Sequence, residues 1–421
     1  MSGKEAHKDL LPHLFRQEYA KMTAVLCRHF GLHAIEMAED IANDTFLKAS
    51  EYWAINGIPD NPTAWLYTVA KNKTKDYVKR TAIFETQIKQ EIKPEQIDTE
   101  KEFEYNDQLI ADSQLAMIFA VCNPANSRES QICLALQILC GFSIEEIADA
   151  FLINTETIKK RLLRARANLR NNSFQINPLS ERQIKSRLEV VLKTLYLLFN
   201  EGYFSKANKQ QIRINLCSEA IRLTLCLTEN RMTNTAQTNA LMALMCFQSS
   251  RLEARMDING EAILFDEQDR NLWGQSLIQR GNYYLVNATT QSAKSPTKYH
   301  LEAGIAYWHT TSADYSKWVN ILQLYDQLIR IEDSPITVLN RVFAFANVHG
   351  KEKAILEAEK LNLVKNSSYH ALMGYLHAHT DMGRSVAHYE QAFRLSKSLT
   401  EKHTLQKEIE RLKFAKTNAG K

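Results

Sequence analysis

From Phe15 onward, apolar residues recur at spacings of three and four, the period of one face of a helix. Phe15, Tyr19, Met22, Leu26 and Phe30 form the first such face and predict a helix ending near Gly31. Ile35, Ala38, Ile41, Ala42, Thr45, Phe46 and Ala49 form the next, with Glu39, Asp40, Asn43, Asp44 and Lys48 directed outward. After a loop from Asn56 to Asp60, Asn61 and Pro62 read as the N-cap and first position of a third helix. The most fully specified stretch runs from Gly141 to Arg170. There Ser143 and Glu146 predict a capping box, and Asn154 predicts the cap of a second helix beginning at Thr155. Phe151, Leu152 and Ile153 leave room only for a tight connection, so the two helices meet steeply, as in a helix-turn-helix. Ile158, Leu162, Ala165 and Leu169 supply the buried stripe of the second helix.

The rest of that second helix changes the picture from packing to chemistry. Every charged residue from Lys159 to Arg170 is a cation. Glu156, Lys159, Lys160, Leu163 and Arg164 go round the outer face, with Arg161, Arg166 and Arg170 on its flanks. A buried stripe with a cationic remainder suits phosphate contact and base-edge reading in a major groove. A solvated surface helix is the plainer alternative, but such helices usually interleave Glu with Lys. The third helix combines Trp65, Tyr67 and Tyr77 with Lys71, Lys73, Lys75, Lys79 and Arg80, next to a polar loop. Aromatic rings among cations suit a single nucleic-acid strand, although Trp65 and Tyr67 also fit a core.

Composition then sets bounds. With 421 residues the chain predicts two to four domains at about 100–200 residues each. A hydrophobic content of 45% and a charged content of 24% describe an ordinary globular protein. The net charge is +4. Acids slightly outnumber cations up to Gln175, so the positive charge of the helix-turn-helix is local. None of the seven cysteines forms a C-x-x-C pair, and most lie in apolar runs, which predicts reduced core residues and a cytoplasmic setting. No signal-type apolar segment or membrane-length run is present in the sequence. Thirteen Gly, eight Pro and few alternating Val/Ile/Thr runs predict an all-α chain.

Residues 83–108 turn acidic and patternless, as a linker does. The expected domains are therefore 10–82, then this linker, then 109–172, then a helical domain over 177–421. In the last of these, Leu216, Ala220, Leu223 and Leu227 open an apolar face after NEGYFS, where Gly202 reads as a helix end. Asp257, Asn259 and Gly260 with Asp266, Glu267 and Asp269 resemble a calcium loop, but the glycine falls at the fourth place instead of the sixth. An ordered loop is the better expectation. Leu339 and Leu372, and Gly350 and Gly383, each lie about 33 residues apart, close to the 34-residue tetratricopeptide period, and Tyr389 with Ala392 fits a second repeat helix. The histidines His300, His309, His370, His377 and His379 form no catalytic pattern, so no enzyme is expected, and neither a metal nor a cofactor. For Asp40 and Asp44, which have no His partner nearby, an acidic protein-docking face is expected.

Two small helical modules carrying AEDIANDTFLKA, PTAWLYTVAKNKTKDYVKR and SIEEIADAFLINTETIKKRLLRAR resemble the second and fourth domains of bacterial sigma factors of the extracytoplasmic-function group, in the sigma-70 family. LAMIFAVCNP, LYLLFNEGY, SEAIRL, LFDEQDRNLW and SPITVLNR resemble the subgroup with a fused C-terminal extension of tetratricopeptide type. The resemblance implies an alternative sigma factor with core RNA polymerase and promoter DNA as partners. It implies that Glu39, Asp40, Asn43, Asp44 and Phe46 dock on polymerase. It implies that Asn56, Asp60, Asn61, Trp65, Lys71 and Asn72 meet the opened minus-10 strand, with Lys75, Lys79 and Arg80 following on the same helix. Thr155, Glu156, Lys159, Lys160, Arg161 and Arg164 would read the minus-35 duplex. Two departures stand out: Asn123 takes a place where the subgroup usually has His, and the turn at Phe151 to Ile153 lacks the usual glycine. The C-terminal half would then contact the sigma domains or a regulatory protein. The alternative is a one-component helix-turn-helix regulator with a helical-repeat sensor, which has no need of the acidic docking helix.

Overall fold

The structure, a computed structural model, describes residues 3–88, 106–171, 175–204, 210–255, 263, 265–290, 295–311, 315–332, 334–378, 380–397 and 399–419. Among these residues the regular structure is helical throughout, so the fold class is all-α. The acidic linker, apart from its ends, and the calcium-like Asp257 to Gly260 lie outside the described residues. The chain divides into two compact units, residues 1–201 and 202–421.

In the first unit the helices are α1 (Gly3–Phe30), α2 (Ile35–Asn56), α3 (Pro62–Ile88), α4 (Asp107–Val121), α5 (Arg128–Leu134), α6 (Ile144–Phe151), α7 (Thr155–Arg170) and most of α8 (Glu181–Tyr203). The ends have local causes. Gly31 closes α1 with φ 86, a conformation that an L side chain rarely adopts. Asn61 caps α3, its Oδ1 accepting from the Ala64 amide at 3.0 Å. Asn123 instead bonds its own loop, Oδ1 accepting from Ala125 N at 2.9 Å, and is almost wholly buried. Of the expected stripe on α2, all seven residues are buried.

The two small modules expected over 10–82 and 109–172 are not separate bodies. Helix α1 packs against α2 and α3 and also against α4, so a single core joins both. Phe15 of α1 lies so close to Gly141 that a Cβ there would sit 2.7 Å from the ring, and Gly141 itself has φ 69. The division between the compact units also falls later than the joining segment near Asn177. Helix α8 runs through Gly202 instead of ending there, and Thr194 within it donates to Gln131 of α5 at 2.7 Å.

The second unit continues with α9 (Gln210–Glu229), α10 (Ala236–Ser249), α11 (Gln275–Thr290), α12 (Lys298–Thr310), α13 (Tyr315–Leu328), α14 (Pro335–His349), α15 (Lys351–Glu359), α16 (Ser367–His377), α17 (Met382–Leu395) and α18 (Leu399–Ala419). Contacts run mainly between sequence neighbours: α12 with α13, α13 with α14, α14 with α15 and α16, α16 with α17, and α17 with α18. Leu339 and Leu372 fall in α14 and α16 and share one cluster, while Tyr389 and Ala392 are buried in α17. Gly350 and Gly383 are not equivalent. Gly350, with φ 90, joins α14 to α15, whereas Gly383 sits within the first turn of α17 behind the Asp381 cap. No described helix is long and apolar enough to cross a membrane.

Candidate nucleic-acid interface

The helix-turn-helix is built by bonds that span only a few residues. The Glu146 amide donates to Ser143 Oγ at 3.1 Å, and the Ser143 amide donates to Glu146 Oε2 at 2.8 Å, completing the capping box. Asn154 Oδ1 accepts from the Glu156 amide at 2.8 Å and starts α7. Between them Leu152 takes the left-handed conformation, with φ 52 and ψ 41, that a glycine would adopt without cost. The turn closes through Ile153 N to Ala148 O at 3.0 Å. Its missing glycine is thus supplied by a strained leucine whose side chain stays in solvent.

With Ile158, Leu162, Ala165 and Leu169 buried, α7 turns Glu156, Lys159, Lys160, Leu163 and Arg164 outward, all exposed. Lys159 is paired with Glu156 at 3.0 Å, and exposure leaves that pair easily exchanged for phosphate. Thr155 and Arg161 are half-buried, and an Arg161 nitrogen lies 3.8 Å from Cys133 Sγ. Leu163 is the residue the sequence pattern underrated. It is 66% exposed among the cations, and an apolar side chain on such a face matches the methyl edge of thymine.

Of the expected set on and beside α3, Asn61, Asn72, Lys75, Tyr77, Lys79 and Arg80 are exposed, Lys71 is half-buried, and Asn56 and Asp60 are exposed in or beside the loop. The two candidate stacking rings on α3 differ from each other. Tyr67 is buried, its hydroxyl donating to Glu18 at 2.8 Å, so no base reaches it. Trp65 is half-buried and stacked on Tyr52 with centroids 5.5 Å apart, leaving part of the ring at the surface.

Helix α2 presents Asp40, Asn43 and Asp44 to solvent, and Lys73 of α3 reaches Asp44 at 3.1 Å. Two members of the expected docking set are not on that surface. Phe46 is buried edge-on against Phe15, with centroids 5.0 Å apart, because it belongs to the inward stripe. Glu39 is held by Arg166 of α7 through two bonds of 2.8 Å, both side chains being 12% exposed. Gln137 Oε1 accepts from the same guanidinium at 2.9 Å. Burial disfavours the Arg166 charge, but the bonded Glu39 carboxylate more than offsets it and the pKa lies above the ordinary value. Arg170 likewise bonds Glu36. Tyr19 beside them is pushed up by burial, with Glu39 adding to the shift.

Among the described residues no group of three or more His, Cys, Asp or Glu is placed to hold a metal. None of the seven cysteines is in a disulfide, and burial pushes the Cys122 thiol up to about 12.

The sigma-70 region 2 family matches residues 14–82, which is α1 through most of α3, the part that carries the acidic helix and the loop before Asn61. The match supports a sigma factor of the sigma-70 family. The chain is 26% identical over 167 residues to the RNA polymerase sigma factor YlaC of Bacillus subtilis (strain 168), covering 39% of this chain and 93% of that one. Over 359 residues it is 32% identical to an uncharacterized protein of Rhizobium meliloti (strain 1021), covering 83% of each, and the two belong to one family. Residues 187–289 match a family of unknown function (DUF6596), so that match begins inside α8. No solved structure matches the chain. The region 2 match and the sigma-factor relative support a role in transcription initiation.

Proposed function

We propose that this chain is an alternative sigma factor of the extracytoplasmic-function group, which recruits core RNA polymerase to particular promoters under the control of its own tetratricopeptide-like second unit. The observation that carries the reading is the outer face of α7: Lys159, Lys160 and Arg164 stand exposed on a helix whose stripe is buried and whose start is capped. That face enters the major groove of the minus-35 duplex, with Lys160 and Arg164 at base edges and the other cations on phosphate. The loop from Asn56 to Asn61, Trp65 and the row Lys71, Asn72, Lys75, Lys79 and Arg80 receive the opened minus-10 strand. There a partly exposed ring stacks on a base while cations follow the backbone. Asp40, Asn43 and Asp44 give polymerase an acidic docking surface. RNA synthesis in this reading belongs to the polymerase. A one-component regulator would have no use for a segment matching sigma-70 region 2. The successive neighbour packing of α12 to α18 supports a stack of helix pairs that offers a surface for a peptide or domain.

The test is transcription in vitro with purified core polymerase, the full chain and a genomic DNA library. Transcripts starting at a shared pair of upstream elements are expected. DNA binding without any polymerase-dependent start would instead favour the one-component regulator.

A further inference from the structure

The connection from α10 to α11, whose acids resemble a calcium loop in the sequence, gathers cations instead. Phe265 is at the centre of the group. Arg251 Cζ lies 5.0 Å from the centroid of its ring, Lys317 Nζ 5.4 Å and the His309 ring 4.9 Å. Trp273 stands beside the same ring with centroids 6.1 Å apart, and Arg251 also lies over Trp273, at 5.9 Å. His309 comes from the end of α12 and Lys317 from α13, where it is 2% exposed. Asp269 is occupied elsewhere, its carboxylate accepting from the Asn271 amide at 2.9 Å, and Glu267 is exposed.

Aromatic faces offset part of the cost of desolvating a cation, but they accept no conventional hydrogen bond. Arg251 forms no salt bridge with a described carboxylate. Its guanidinium donates to the Tyr203 hydroxyl at 3.1 Å and to no other described group, so most of its N–H fork is unused. Trp273 is 5% exposed, yet its Nε1, which can only donate, has no partner among the described residues. His309 Nδ1 is buried without a partner as well. Burial takes the His309 pKa down to about 3, with Arg251 and Lys317 adding to the shift, so the ring is neutral in a positive potential. Arg251, Phe265, His309 and Trp318 are each half-buried, which leaves the edge of the group open to solvent.

We infer that the second unit binds a small oxyanion, the carboxylate or phosphate group of a small molecule, between Arg251, Trp273 and His309. Donors without acceptors in a positive potential are the complement of such a group. The guanidinium fork takes two of its oxygens, and the indole and imidazole N–H groups reach the rest of its lone pairs. A metal cation is repelled by the same potential, and a neutral ligand leaves the Arg251 charge without a counter-charge. All of these residues belong to the second unit, so the site stands independently of the sigma-factor reading.

The experiment titrates the full chain, isotope-labelled at its tryptophan nitrogens, with sodium acetate and separately with sodium phosphate at constant pH and ionic strength. The readout is the five indole N–H signals in the magnetic resonance spectrum. Trp273→Phe removes one signal and so assigns it. In the parent that signal should move downfield and saturate with at least one of the two anions, as an N–H does on gaining an anionic acceptor, while the others stay in place. The anion that acts tells a carboxylate site from a phosphate site. Arg251→Gln should weaken binding about tenfold or more, with the other indole signals unmoved as the sign of an intact fold. Arg251→Lys, which keeps the charge and loses the fork, should recover part of the affinity. The site is overturned by a Trp273 signal that moves with neither anion, or that saturates as early in Arg251→Gln as in the parent. Five signals drifting together in proportion to concentration overturn it too.

Discussion

The hydroxyl of Thr194 donates to Gln131 Oε1 at 2.7 Å inside the first unit. Gln131 in turn donates from Nε2 to the carbonyls of Asn123 and Asn126, at 2.9 and 3.0 Å, so its buried amide is fully used. Helix α8, where the match to the family of unknown function begins, is thereby fastened to α5 and to the loop before it.

A chain ending near Gln175 lacks α8 and should expose the apolar surface it covers, whereas one ending after Glu201 should unfold as a cooperative unit. Thr194→Val in the full chain should cost about 1–3 kcal/mol, since it leaves a buried acceptor without its donor. Urea unfolding followed by circular dichroism checks both, and equal midpoints for the two truncated chains would separate α8 from the first unit.

Lys160→Ala and Arg164→Ala should each lose about 1–3 kcal/mol of binding at particular base pairs of the minus-35 element. Both side chains are solvent-exposed, so stability should stay within about 0.5 kcal/mol. Binding to a panel of single-base variants is the measurement. A loss uniform over all sequences, with a flatter salt dependence, would assign these residues to phosphate.

Replacing both Asp40 and Asp44 by Lys should weaken association with core polymerase, mainly through a slower on-rate that is sensitive to salt. Neither residue is buried, and Asp44 gives up only its exposed pair with Lys73, so the fold should survive. Stopped-flow binding at two ionic strengths, with circular dichroism as the control, decides it. A double variant that associates as fast as the parent would remove these acids from the docking surface.

In the second unit, His370 Nδ1 faces His388 Nδ1 at 2.9 Å, and the ring of His377 stacks on His388 with centroids 5.6 Å apart. Burial lowers the pKa of His377 and of His388, with neighbouring positive charge lowering both further. Burial likewise takes His309 down to about 3, with Arg251 and Lys317 adding to the shift. The unfolded chain therefore binds more protons than the folded one below the ordinary histidine value of about 6.5. Stability from these three groups is fully present above that value and is lost as pH falls through their depressed pKa values. Denaturant unfolding of the second unit's helices between pH 7.5 and pH 5 should show the fall, and His388→Gln should flatten it. A slope unchanged by that substitution would clear His388 of the effect.

The sequence alone determined the parts of this protein whose causes lie within one or two helical turns. The stripe Ile158, Leu162, Ala165 and Leu169, the capping box of Ser143 and Glu146, and the Asn61 and Asn154 caps follow from the 3.6-residue period and from side chains bonding amides two or three residues on. Since periodicity also tells the outer face of α7 from its inner one, most of the candidate DNA-reading set was legible. Only the tertiary structure decided the fate of Glu39, whose partner Arg166 is 127 residues away, and of Tyr67, whose partner Glu18 is 49 residues away. Pattern gives the direction in which a side chain leaves its helix and says nothing of what packs there. An outward carboxylate such as Glu39 therefore reads the same whether it meets water or a guanidinium from the far end of the unit. The turn at Leu152 and the attachment of α8 through Thr194 share that cause, since the surrounding contacts determine whether a strained backbone or a buried hydroxyl is tolerated.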